Sequence, residues 1–107
     1  MSVINATQDS FQKDVLDVKG VPVIVDFWAT WCGPCQVQGP IIEELAKEIG
    51  AKARFVKVDV DENNELSSSY GIMSIPSLKV FKDGKVVDEM VGVHDKKQLM
   101  KVIEEHA

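Results

Sequence analysis

The sequence predicts an α/β domain with a central mixed five-stranded sheet, parallel at its centre with an antiparallel hairpin at its carboxyl-terminal edge, flanked by four helices. Three observations carry that expectation. The run "VPVIVDFWA" from Val21 to Ala29 is apolar and β-branched without polar alternation, as in a central strand covered on both faces. Segments of strand character alternate with segments of helical spacing in the order β-α-β-α-β-α-β-β-α, the pattern of a sheet layered between helices. The last two strands are joined by Lys82-Asp83-Gly84-Lys85, and an Asp-Gly pair between apolar runs marks an antiparallel hairpin.

In chain order, a short first strand is expected around Val3 and Ile4. The helix after it carries Phe11, Val15 and Val18 at helical spacing, with Thr7 or Asp9 placed to cap it, and ends at Gly20. Beyond the central strand, Ile41, Ile42, Leu45 and Ile49 share one face of a helix that stops at Gly50. Pro40 removes a backbone donor there and is expected to kink it, with Gly39 loosening the same turn. "ARFVKVDV" is the next strand. "ENNELSSSYG" is a short polar helix ending at Gly71, capped by Asp61. "SLKVFKDGKVVDEMV" supplies the hairpin. The final helix starts at Asp95, whose carboxylate can cap while Gln98 reaches back, and it buries Leu99, Val102 and Ile103, with Lys96 and Lys97 on a solvated face.

At 107 residues the chain can bury a core without disulfides, and 45% hydrophobic with 27% charged residues is the composition of one soluble domain spanning 1–107. No linker, repeat or low-complexity tract is visible. A net charge of -5 without a basic cluster argues against nucleic acid as a partner. The start, "MSVINATQDSFQKD", lacks the basic and apolar parts of a signal peptide, and no apolar run reaches membrane-spanning length. A cytoplasmic chain without a membrane partner is expected. "DVDENN" resembles a calcium loop, but Asn64 stands where glycine is required and Tyr70 where the closing glutamate belongs.

A reducing cytosol works against a permanent structural disulfide and favours transient redox chemistry or metal binding. The two cysteines, Cys32 and Cys35, fall at the carboxyl end of the central strand and the start of the next helix, where active sites of open α/β sheets tend to lie. Three residues apart on a first helical turn, they share a face at a separation a disulfide can span. As a fastener the bond would be poor, since closing a four-residue loop removes only about 2 kcal/mol of unfolded-chain entropy, against about 3 for fifteen residues. A structural zinc site wants four ligands, and beyond the pair only His94 and His106 are on offer, without zinc-finger spacing. Exchange chemistry needs one thiolate to attack a target disulfide and a second thiol to release the product. The helix amino terminus would stabilise the thiolate of Cys32, with Cys35 shielded one turn inside. Pro34 suits a first turn, where its missing donor costs nothing, and Gly33 lets a substrate backbone approach.

The motif Trp31-Cys32-Gly33-Pro34-Cys35 after "VDFWAT", followed by "GIMSIPSL", "DGK" and "VG" at matching distances, resembles the thioredoxin family over essentially the whole chain. The resemblance implies the thioredoxin fold and protein-disulfide reductase activity: Cys32 attacks, Cys35 resolves, and the two form a redox disulfide. It implies no bound cofactor, electrons supplied by a thioredoxin reductase, disulfide-containing protein substrates, and a monomer. A carboxylate inside "VIVDFW" is out of place in an apolar strand, and burial would raise its pKa toward neutrality. In the family the residue matching Asp26 lies beneath the disulfide and helps deprotonate the second cysteine, with Lys57 matching the lysine beside it. Pro76 matches a cis proline packed against the cysteines, and the backbone of Ile75 would pair with substrate as an added strand. Trp31, Gly33, Pro34, Ile75, Pro76, Val91, Gly92 and Val93 would then form a shallow apolar docking surface around Cys32. Phe27 and Trp28 are assigned to the core.

The chain departs from the family pattern at Gln36, where a basic residue is usual, at Val37 and Gly39, where Met and Ala are common, and at Ser77, where Thr is usual. Losing a cation beside Cys32 bears on redox potential and choice of reductase. Two rival classes share the fold: an oxidase or isomerase, which would accompany an export signal and a different dipeptide between the cysteines, and a non-redox subunit of a larger enzyme.

Overall fold

The uninterrupted apolar run from the sequence occupies the middle of the sheet. In the computed structural model, which describes residues 3–107, it forms β2 (Val23–Trp28), buried through Phe27 with Trp28 half-buried. It pairs in parallel with β3 (Arg54–Asp59), which in turn pairs in parallel with β1 (Ile4–Asn5). On its other side β2 pairs antiparallel with β4 (Ser77–Lys82), and β4 with β5 (Lys85–Val91), giving the order β1-β3-β2-β4-β5. The antiparallel part thus begins at β2–β4, one strand before the hairpin. Alternate β2 residues face opposite cores: Val23, Val25 and Phe27 pack with Phe11, Val15, Val56, Val58 and Phe81, whereas Ile24 packs with Ile42, Leu45, Leu78, Leu99 and Ile103. Full burial of each such side chain contributes roughly 1.5–3 kcal/mol, so both layers hold the strand.

The helical layers are a π-helical segment (Gln12–Leu16), α1 (Gly33–Ile49), α2 (Asn64–Ser69) and α3 (Lys96–Glu105), with a 3-10 turn at Gly50–Lys52. The first differs from its expectation. Phe11 and Val15 are buried, but the Asp17 N–H reaches back five residues to the Gln12 carbonyl at 2.8 Å while the Gln12 amide donates to Asp17 Oδ1 at 2.8 Å, and Val18 lies beyond the segment. Thr7, not Asp9, closes the turn leading in, accepting the Ser10 N–H at 3.2 Å. α1 runs through Pro40 as one helix and turns Cys35, Gln38, Ile42 and Leu45 inward.

Asp61 does not cap α2. Asp59 Oδ1 accepts the N–H groups of Asp61 and Glu62, and the first-turn N–H of Leu66 is capped from across the fold by Gln8 Oε1 at 3.0 Å, leaving Asp61 free for a different contact described below. α3 has the expected capping box: the Gln98 N–H donates to Asp95 Oδ1 at 2.8 Å and the Asp95 N–H to Gln98 Oε1 at 2.9 Å. It buries Leu99 and Ile103, with Val102 half-buried. Lys96 is not simply solvated; it bridges Glu44 at 2.9 Å and Glu48, exposed pairs that tie α3 to α1. The hairpin turn has φ of 52° at Asp83 and 84° at Gly84, and a Cβ at Gly84 would sit 2.9 Å from the Leu16 carbonyl oxygen, so only glycine fits there.

Candidate active site

β2 delivers the chain to the rim of the sheet, and a turn closed by the Cys32 N–H on the Ala29 carbonyl at 3.3 Å starts α1. Cys32 is the extended N-cap residue of that helix, and its Sγ accepts the Cys35 N–H at 3.2 Å. Pro34 stands in the first turn. Cys32 and Cys35 are joined in a disulfide with their Cα atoms 5.2 Å apart, so the bond opens and closes on one helical turn. The N–H and the positive helix end both favour negative charge on Cys32 Sγ once the bond opens.

Both cysteines are 4% exposed, so the expected contrast between an open Cys32 and a shielded Cys35 is absent from the oxidised pair. Bonded sulfurs cover one another, and the asymmetry lies in their flanks. Cys32 sits between Trp31, which is 70% exposed, and the exposed residues Gly33 and Pro34; a Cβ at Gly33 would meet nothing within 4 Å. Its Sγ lies 3.8 Å from the Ile75 carbonyl oxygen. Cys35 instead lines a cleft of about 510 Å³ with Trp28, Gly39, Pro40 and Lys57.

Asp26 lies on β2 in register with Lys57 on β3. It is fully buried, and neither carboxylate oxygen has a hydrogen-bond partner among the described residues. Burial pushes its pKa from 3.8 to about 7, with the Lys57 ammonium pulling partly the other way. That ammonium also lies 4.3 Å from the centroid of the Trp28 ring, a cation–π contact. Trp28 is therefore half-buried at the cleft, whereas Phe27 is wholly in the core.

The Ile75–Pro76 peptide bond is cis. The Gly92 N–H donates to the Pro76 carbonyl at 2.8 Å, with Gly92 at φ 90°, and this sets Val91 and Val93, 58% and 41% exposed, beside the Ile75–Pro76 segment. Of the residues expected at the site, Lys57 faces Asp26 across β2 and β3 and lines a cleft with Cys35, while Ile75 lies against Cys32 and Pro76 is tied to Gly92. Gln36 adds no charge; its amide donates to the Thr30 carbonyl at 3.2 Å.

Three contributors escaped the sequence reading. Asp61 accepts the Trp31 indole N–H at 2.8 Å and so orients that exposed ring. Met73, 97% exposed, lines a small cleft with Trp31, Val60, Ile72 and Ile75. Gln38 ties α1 to His94. Spacing contains no signal for the first, but Gln38 was visible as an amide on an apolar helix face. Among the described residues no three His, Cys, Asp or Glu side chains gather to hold a metal ion, and no helix is long and apolar enough to cross a membrane.

A disulfide closed on one helical turn, at the amino end of the helix that follows the central strand, places the chain in the class of thiol–disulfide oxidoreductases. The sequence model of the family described as "Thioredoxin" matches residues 2–105. The chain is 47% identical over 106 residues to the thioredoxin of Bacillus subtilis (strain 168), covering 99% of each. It is 50% identical over 101 residues to the thioredoxin of Chlorobaculum thiosulfatiphilum, covering 94% of this chain and 93% of the other. Against thioredoxin 1 of Nostoc sp. (strain PCC 7120 / SAG 25.82 / UTEX 2576) it is 47% identical over 100 residues, 94% and 92% of the two chains. The chain belongs to the thioredoxin family, and its activity is protein-disulfide reduction by dithiol–disulfide exchange.

Proposed function

We propose that the chain is a single-domain, monomeric, cytoplasmic reductase of protein disulfides, recharged by a thioredoxin reductase. The observation that carries this reading is the Cys32–Cys35 disulfide at the helix terminus, with the Cys35 N–H directed at Cys32 Sγ. In the reduced pair that donor and the positive end of the helix favour the Cys32 thiolate. The thiolate attacks one sulfur of a target disulfide, forming a mixed disulfide and expelling the other target sulfur as a thiolate, which takes up a proton. Cys35 then loses its proton to the Asp26 carboxylate and attacks Cys32 Sγ. The second target thiolate leaves and is protonated, and the Cys32–Cys35 bond closes. The target has gained two electrons and two protons, one proton from Cys35 by way of Asp26 and one from water.

The surroundings support these roles. A carboxyl with a pKa of about 7 is well matched to accepting a proton at neutral pH, and Lys57, facing it across the strands, keeps a share of it ionised. Gly33 and Pro34 leave the approach to Cys32 open without removing a needed hydrogen bond. Trp31, Ile75, Pro76 and Gly92 receive the target, with the Ile75 backbone pairing to an extended segment that carries the disulfide.

The test is a turnover assay with a small aromatic disulfide and a protein disulfide, coupled in turn to an NADPH-dependent flavin reductase and a ferredoxin-dependent one. Catalytic consumption of reductant with either donor is expected. Failure to reduce either substrate from a chemically reduced protein would reject the reading.

A further inference from the structure

The inward face of α1 runs Cys35, Gln38, Ile42, Leu45, and one of these four is an amide. Gln38 is fully buried, where an unpartnered amide would be costly. Both its polar atoms are spent on one residue: Nε2 donates to the His94 carbonyl at 3.0 Å, and the His94 N–H donates to Oε1 at 2.7 Å. The side chain thus meets the loop backbone much as a neighbouring strand would.

From His94 the ties continue toward the reacting sulfur. His94 Nδ1 lies 3.0 Å from the Gly92 carbonyl oxygen, the Gly92 N–H donates to the Pro76 carbonyl at 2.8 Å, and the adjacent Ile75 carbonyl lies 3.8 Å from Cys32 Sγ. The ridge formed by Val91 and Val93 is therefore held at one end by the cis-proline segment and at the other by the helix that begins with the redox pair. A methionine would fill the space of Gln38 equally well, but only an amide can hold both backbone groups of His94.

We infer that Gln38 is a positioning residue for substrate docking: its amide fixes the height of the Val91–Val93 ridge over the Cys32–Cys35 pair. It governs how well a protein disulfide binds and leaves the chemistry at sulfur alone. The inference rests on the reductase reading above. It also gives Gln38 a different standing from Asp26, which acts on a proton.

Gln38→Met, matched in length and lacking both amide groups, is the test. Its KM for a protein disulfide is expected to rise about tenfold while kcat, and the rate with the small disulfide 5,5′-dithiobis(2-nitrobenzoate), stay within about twofold of wild type. Equal loss on both substrates, or no loss on either, overturns the docking role. If the variant does not fold, amide hydrogen exchange in the wild-type protein decides: the His94 amide proton is expected to exchange as slowly as those of β2, and fast exchange overturns the clamp. A wild-type protein inert to the small disulfide would instead reject the reductase reading and the docking role with it, whatever the exchange result.

Discussion

Cys35→Ser is expected to leave target proteins covalently held on Cys32, whereas Cys32→Ser captures nothing. The first half of the exchange needs only the sulfur at the helix N-cap, which receives the Cys35 backbone N–H at 3.2 Å whatever side chain residue 35 carries. Release needs a second sulfur one turn further along, and a serine hydroxyl cannot supply it at neutral pH. Turnover in either variant should fall by at least about a thousandfold, because nucleophile and resolving group act as a unit. Separation of target-protein mixtures without reductant, followed by mass spectrometry of the adducts, reads the outcome. Equal trapping by both variants, or by neither, would contradict the assignment.

Asp26→Asn is expected to abolish a large pH dependence of stability. In the unfolded chain the carboxyl has its ordinary value of 3.8; in the fold, burial raises it to about 7. Well below pH 3.8 the group is neutral in both states and imposes no penalty. As pH rises toward 7 the unfolded state releases its proton first, so the folded state is progressively disfavoured, and above 7 the penalty is complete. A rise of about three units corresponds to about 4 kcal/mol. Relative to wild type, the variant should therefore gain about 4 kcal/mol between pH 4 and pH 8, measured by urea unfolding at each pH. A difference that stays flat over this range would mean that Asp26 is not held as an uncompensated acid. On the mechanism proposed above only the second step uses Asp26 as a base, so the same substitution should slow release of the mixed disulfide at neutral pH more than its formation. The reverse ordering would reject that role.

What the sequence made legible was whatever local chemistry decides. β2 follows from an apolar run with no polar alternation, the hairpin from Asp83-Gly84, whose positive φ values few other pairs tolerate, and the start of α3 from the Asp95–Gln98 box. The first helix was misjudged in form because Phe11 and Val15 are spaced as an α-helix or a π-helical turn alike. Asp61 and Lys96 were misplaced for another reason. Each looks solvated or capping in its own segment, yet one is claimed by Trp31, thirty residues away, and the other by Glu44 and Glu48 on a different helix. The cis bond at Pro76 came from the family resemblance, since the chain on either side of a proline says little about its isomer. The near-equal burial of the two cysteines could not be read from spacing at all, because it arises from the closed bond, in which each sulfur covers the other.

The most direct test of the account asks which sulfur reacts. The reduced protein is exposed at pH 7 to less than one equivalent of iodoacetamide, and the modified residue is located by peptide mapping. Modification at Cys32 with Cys35 untouched is the predicted result. Equal labelling of the two, or labelling that begins at Cys35, would show that the helix terminus and the open flank of Cys32 do not set the order of reaction.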